Sequence, residues 1–194
     1  MTIEERREKR QKREREFIGS LLDYAGNEDR AALTNLRRGL GKKFGTAPEV
    51  FPFVTRFAAI YEEEDFALVG SLFALHSEKN WGGEDKEKYK RNFGASLLWF
   101  AGESNAEAST ERRFVALLNC DREDLQTHLR QAVSLLKSKE IPVDWLQLLQ
   151  DVRSWSNESR FVQKKWARGF WRGADDENLN SNQNSDNQNP EEEN

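Results

Sequence analysis

The chain has 194 residues, 37% hydrophobic and 33% charged, which suffices for one domain with a real core and excludes a membrane span, since no apolar run is long enough. Cys120 is the only cysteine and the N-terminus begins with charged residues, which excludes an internal disulfide framework, argues against secretion and predicts a cytoplasmic protein. The net charge of −4 is uneven: residues 174–194 hold seven acidic residues and no basic one, and removing those seven from 34 leaves 27 acidic against 30 basic, so the acidic pI does not exclude a nucleic-acid partner.

Residues 1–16 carry seven basic and five acidic residues with almost nothing apolar, and read as a charged helical extension that buries nothing, or as a basic arm. Phe17, Ile18, Leu21, Leu22 and Tyr24 predict a short buried helix. Asn27 is placed to cap the next, with Ala32, Leu33, Leu36 and Leu40 buried and Gly39 or Gly41 ending it. Arg30, Arg37, Arg38, Lys42 and Lys43 form an acid-free basic block there, either a solvated helix end favoured by the macrodipole or a functional surface. Pro48 and Pro52 bracket a turn into a helix through Val54, Phe57, Ala58 and Tyr61. Asp65 is placed to cap residues 66–76, FALVGSLFALH, an almost wholly apolar core helix. Residues 77–88 read as a long surface loop, where Lys86, Lys88, Lys90 and Arg91 are diluted by Glu84, Asp85 and Glu87. Phe93, Leu97, Leu98 and Phe100 resume the core.

Residues 109–171 contain successive helix starts with a repeating supply of cations. Ser109 or Thr110 is placed to cap a helix with Phe114, Leu117 and Leu118 on its stripe and Arg112 and Arg113 off it. Asp121 is placed to cap a second, whose face is Leu125, Leu129, Ala132, Val133 and Leu136, with Arg122 and Arg130 on the flanks. Pro142 suits the first turn of a third, which buries Trp145, Leu148, Leu149 and Val152. Ser156 or Asn157 is placed to start a fourth. There Phe161, Val162, Trp166 and Phe170 face the core, Lys164, Arg168 and Arg172 form an i, i+4, i+8 row beside Lys165, and residues 160–172 contain no acid. The Asn-rich, acidic residues 174–194 cannot offset the entropy of ordering and are expected to be disordered, aiding solubility and competing weakly with nucleic acid for the nearby basic row.

No catalytic, cofactor or metal signature emerges. His76 and His128 stand alone, Cys120 reads as a small buried thiol, and residues 39–45, GLGKKFG, lack P-loop spacing. Of six tryptophans, Trp99, Trp145 and Trp166 lie on apolar stripes, and Trp81, Trp155 and Trp171 are less constrained, with packing favoured over base stacking. The expected fold is all-α, a compact bundle of about seven to nine short helices without a sheet, spanning residues 17–173.

The runs ERRFVALLNCDREDLQTHLRQAVSLLK, IPVDWLQLLQDVRSW and RFVQKKWARGFW, preceded by RAALTNLRRGLGKKFGTAPEV and FALVGSLFALH, resemble the CasB family, the small helical subunit of the type I-E Cascade complex in bacterial CRISPR defence. The resemblance spans residues 17–171 and excludes both charged ends. It implies a non-catalytic subunit that stabilises the crRNA–target DNA hybrid and the displaced strand, two copies stacking in line against the large subunit and the repeated backbone subunit. Its implied nucleic-acid contacts are Arg37, Arg38, Arg112, Arg113, Arg122, Arg130, Lys164, Lys165 and Arg168, to which the first basic block adds Lys42 and Lys43. No small-molecule substrate or membrane partner is expected. The competing readings are a scaffold subunit without nucleic-acid contact and a helix-turn-helix DNA-binding regulator.

Overall fold

Thr2 starts the first helix through a capping box with Glu5, and the chain then runs unbroken through α1, Ile3–Gly26. The computed structural model describes residues 2–77 and 91–172, so the expectations for most of the 77–88 loop, for Trp81, Lys86, Lys88 and Lys90 and for the acidic tail lie outside the described residues. The charged N-terminal segment is continuous with the buried helix expected after Phe17, and both belong to α1. It also buries Glu14 to 1%, contrary to the expectation of a segment that buries nothing.

Most of the core-facing positions agree with the helical spacing, but several boundaries move. The cap of α2, Arg30–Arg37, is Asp29, whose carboxylate accepts from the Ala32 amide, while Asn27 closes α1. After 3-10 turns at Phe44–Thr46 and Pro48–Val50, the expected helix through Tyr61 shrinks to one turn, α3, Phe51–Val54, and Tyr61 is 82% exposed. A third 3-10 turn, Ile60–Glu62, leads into α4, Glu63–Leu75. Asp65 lies inside α4's first turn and does not cap it. Every residue of α4 from Phe66 to Ala74 is buried, as its all-round apolarity predicts.

Asn92 caps α5, Phe93–Ser104, by accepting from the Ala95 amide. Ser109 and Thr110 fall inside α6, Glu107–Asn119, where the Ser109 hydroxyl donates back to Ala106 and Thr110 is buried. Asp121 and Arg122 precede α7, Leu125–Ser138, whose five predicted core positions are all buried. Asp144, not Pro142, starts α8, Trp145–Arg153, by accepting from the Gln147 amide. Arg160, at φ +52°, rather than Ser156 or Asn157, opens α9, Phe161–Trp171. Among the described residues these nine α-helices and three 3-10 turns make up the regular structure, and there is no strand.

Helix α4 sits at the centre, packed by α2, α7 and α8, with α1 closing over α2 and α8. A second group forms where α5 packs on α9, α6 and α7. Trp166 fills this second group between Phe93 (ring centroids 4.8 Å) and Trp155 (5.1 Å), and Phe114 stacks on Phe170 at 4.4 Å. Burial of each such large side chain contributes roughly 1.5–3 kcal/mol. Trp145 and Trp155 are also in the core, so tryptophan here mostly packs.

His76, at the C-terminal end of α4, ties that helix to the segment that precedes α8. Its Nε2 lies 2.8 Å from the Ile141 carbonyl, which can only accept, so this nitrogen carries the proton. Burial is the main cause holding its pKa below the ordinary 6.5, with the Ile141 bond acting in the opposite sense. The unfolded chain therefore binds more protons than the folded one below about pH 6.5. Stability is expected to fall as pH drops through that value and to level off at the lower folded pKa. Urea midpoints between pH 7.5 and 5 check this, and His76→Gln should remove the slope over that window.

Candidate nucleic-acid interface

The predicted cations part into those used inside the protein and those left at the surface. Lys165 turns inward to Asp151 at 2.5 Å, a buried carboxylate that also accepts from Trp166 Nε1 (2.7 Å) and Gln147 (3.0 Å). Arg37 donates through Nε (3.0 Å) and Nη2 (2.8 Å) to the Ala74 carbonyl, satisfying an orphan acceptor at the end of α4. Arg122 pairs with Asp65, and burial draws its pKa below the ordinary value. Arg38 faces Glu49 at 3.5 Å in an exposed pair of small energetic worth. Lys42, Lys43, Arg112, Arg113, Arg130, Lys164 and Arg168 are exposed, and no acidic partner holds them among the described residues.

Two of these seven meet across a groove. The packing of α6 on α7 sets Arg113 and Arg130 along an open depression of about 590 Å³ whose other walls are Thr127, Gln131, Ser134 and Leu135. No acidic residue lines it. The Arg130 guanidinium also lies against Gly41, where an added side chain would meet it at 3.6 Å and where φ +77° suits glycine. Arg130 thus reaches the loop carrying Lys42 and Lys43. Those lysines border a second cleft of about 440 Å³ with Arg122 and Gln126, but Glu64 and Glu123 share it and reduce its positive potential.

Sequence reasoning missed Gln126. Its side-chain oxygen, in the orientation that satisfies both donors, accepts from the amides of Gly41 (2.7 Å) and Lys42 (3.2 Å), pinning the basic loop to α7. The signal was present, since Gln126, Arg130 and Ser134 recur every four residues on one edge of that helix. The α9 row is a separate surface: Lys164 and Arg168 line neither depression. Thus the eleven predicted contacts do not make one site.

No group of three or more His, Cys, Asp or Glu is set to hold a metal among the described residues, and no helix among them is long and apolar enough to cross a membrane. Cys120 is half-buried, and burial, then the nearby Asp124 and Asp121, push its thiol up to about 11, so it is protonated at neutral pH. His128 borders the crevice behind the groove beside Arg113 and Gln131.

Together these features define a class: a small all-α protein with a basic groove between two helices and a cationic row on a third. The model of the family described as CRISPR-associated protein Cse2 matches residues 32–171. A protein of that description from Thermus thermophilus is 34% identical over 153 residues, covering 76% of this chain and 83% of that one. The crystal structure of CasB from M. ruber superposes with a TM-score of 0.67 at 31% identity, covering 87% of this chain and 98% of the other. A chain of a CRISPR RNA-guided surveillance complex shares the fold, with a TM-score of 0.71 at 20% identity over 89% of this chain and 99% of that one. The chain belongs to the CasB/Cse2 family of CRISPR-associated proteins.

Proposed function

We propose that the protein is a small subunit of a crRNA-guided type I-E Cascade complex and that it holds nucleic-acid backbone in the α6–α7 groove. The observation that carries this is the pair Arg113 and Arg130, exposed, unpaired and facing one acid-free groove, with Arg130 reaching the loop that carries Lys42 and Lys43. Leaving two such cations unneutralised in one place costs mutual repulsion that a bound phosphate chain would relieve, and guanidinium groups suit phosphate through paired N–H donors. Thr127, Gln131 and Ser134 add neutral donors. Contacts of this kind read the backbone rather than the bases, so guide–target pairing would carry the sequence and this subunit the shape and charge. The family relationship and the shared fold of a surveillance-complex chain support the assembly, with the large subunit, the repeated backbone subunit and a second copy as its partners. Nothing in this role requires a reaction step.

Arg113→Glu with Arg130→Glu is expected to weaken binding of a labelled poly-dT strand or a guide–target hybrid by at least about tenfold at low salt. The dependence of log K on log salt should flatten by about 1.4 on the single strand and up to about 1.8 on a duplex, the contribution of two lost phosphate contacts. Fluorescence anisotropy at two salt concentrations reads both quantities, and unfolding curves should be unchanged because both side chains are exposed. If the double variant still binds strand and hybrid like the parent and enters Cascade, the scaffold reading replaces this one. A strong preference for one duplex sequence would favour the regulator reading instead.

A further inference from the structure

Lys164 and Arg168 on α9 line neither depression, and no acidic residue of that helix faces them. Lys164 and Arg168 lie one turn apart on its solvent side, residues 160–172 contain no acid, and Glu111 on the adjoining α6 is engaged elsewhere, accepting from Trp171 Nε1 at 2.9 Å. The family match ends at Trp171, the last residue of α9. Residues 173–194 come next in the chain, with seven acidic residues and no basic one, three of them being Asp175, Asp176 and Glu177.

We propose that the acidic C-terminal segment docks back on the Lys164–Arg168 edge of α9 and acts as a built-in polyanion that competes there with nucleic-acid phosphate. Charge complementarity and attachment point select this occupant. The five residues from Arg172 to Glu177 reach up to about 16–18 Å at 3.3–3.6 Å per residue, and an 11-residue helix is about 16 Å long at 1.5 Å per residue. The first acidic triplet therefore reaches Arg168 and then Lys164, and Asp186 and Glu191 to Glu193 sample the same edge on a longer tether. A tethered segment of this length acts at an effective concentration of about millimolar, so even millimolar attraction keeps the edge substantially occupied. The segment matches nucleic acid in charge, so a strand held in addition by pairing with the guide displaces it, whereas a strand held only by charge competes on equal terms. Salt weakens the docking, because both partners are at the surface. The competitive consequence rests on the proposed nucleic-acid role extending from the α6–α7 groove to this edge, whereas the docking itself does not.

The test compares the full chain with a full-length variant whose seven acidic residues after Gly173 are changed to Asn or Gln, each with and without Lys164→Ala and Arg168→Ala. Without nucleic acid, amide NMR shifts of residues 160–172 are expected to differ between parent and neutralised tail at about 50 mM salt and to converge at about 500 mM, beyond a few Debye lengths. With a labelled 20-nucleotide poly-dT strand, neutralising the tail is expected to tighten binding about two- to tenfold at low salt, and the gain should vanish in the Lys164, Arg168 background. Identical α9 shifts in parent and neutralised chains overturn the docking, whatever the strand does. Shifts confined to α9 with no strand binding by either form uphold the docking and overturn the nucleic-acid role of that edge. A gain that persists without Lys164 and Arg168 also overturns the proposal, since the tail would then act elsewhere.

Discussion

Arg153→Ala is expected to lower the stability of the folded chain by about 3–5 kcal/mol, the usual cost of removing one partner from a buried ion pair. Arg153 comes from the last turn of α8 and joins Glu14 of α1 to Glu62 at the entry to α4, with side-chain exposures of 14%, 2% and 1%. Arg13 completes the set on Glu62 at 2.9 Å, and Gln150 donates to Glu14 at 3.1 Å. Without the guanidinium, two carboxylates remain buried with one close cation, Arg13, and with Arg10 3.8 Å from Glu14. Urea unfolding of the parent and of Arg153→Ala measures the loss. A change under about 1 kcal/mol would show that water reaches the carboxylates freely and that the network does not hold α1 to the bundle. Restoring packing with Glu14→Gln, Glu62→Gln, Arg13→Met and Arg153→Met together should recover much of the loss, because an apolar or neutral set avoids the desolvation of charge.

The second large effect is at the crossing of α5 and α9. A Cβ on Gly94 would overlap the Trp166 carbonyl, a backbone atom that cannot rotate away, and Gly169 is held just as closely by the side chain of Asn92. Overpacking typically costs about 1–3 kcal/mol when side chains adjust. Here helix axes must separate, so Gly94→Ala is expected at or above the top of that range. Gly102 on the same helix has open space around it, so Gly102→Ala should be neutral or stabilising by up to about 1 kcal/mol through helix propensity. Thermal melts of the two variants give the contrast. Equal melts would mean that the crossing is looser than its geometry states. Because α9 carries Lys164 and Arg168, Gly94→Ala should also shift the amide signals around that edge.

Helical spacing revealed the core because one physical rule governs it: an apolar stripe repeating every three to four residues must face inward. Leu125, Leu129, Ala132, Val133 and Leu136 were legible for that reason, as was α4, where apolar residues surround the axis. Caps were less legible. Asp29 and Asp144 won over Asn27 and Pro142 because a side-chain oxygen at the right spacing meets an orphan amide, and several residues nearby can meet that description in one dimension. The 50–62 region departed further, breaking into a single α-turn and a 3-10 turn and leaving Ile60 and Tyr61 exposed.

By itself the sequence determined the all-α class, most of the buried faces and the list of basic residues, since composition and periodicity are local properties, and the resemblance of its ordered segments pointed to the family. Only the tertiary structure decided which cations are at the surface to act. Lys164 and Lys165 are adjacent in the chain, yet one is solvated and the other is bound to Asp151, because a step of about 100° around a helix separates a surface from a core. Arg113 and Arg130 are 17 residues apart and share a groove because α6 packs on α7. Glu14, read as part of a solvated extension, is buried because Arg153, far away in sequence, neutralises it. Charge neutralisation depends on distances of a few ångströms between remote segments, and a pattern along the chain cannot supply those distances.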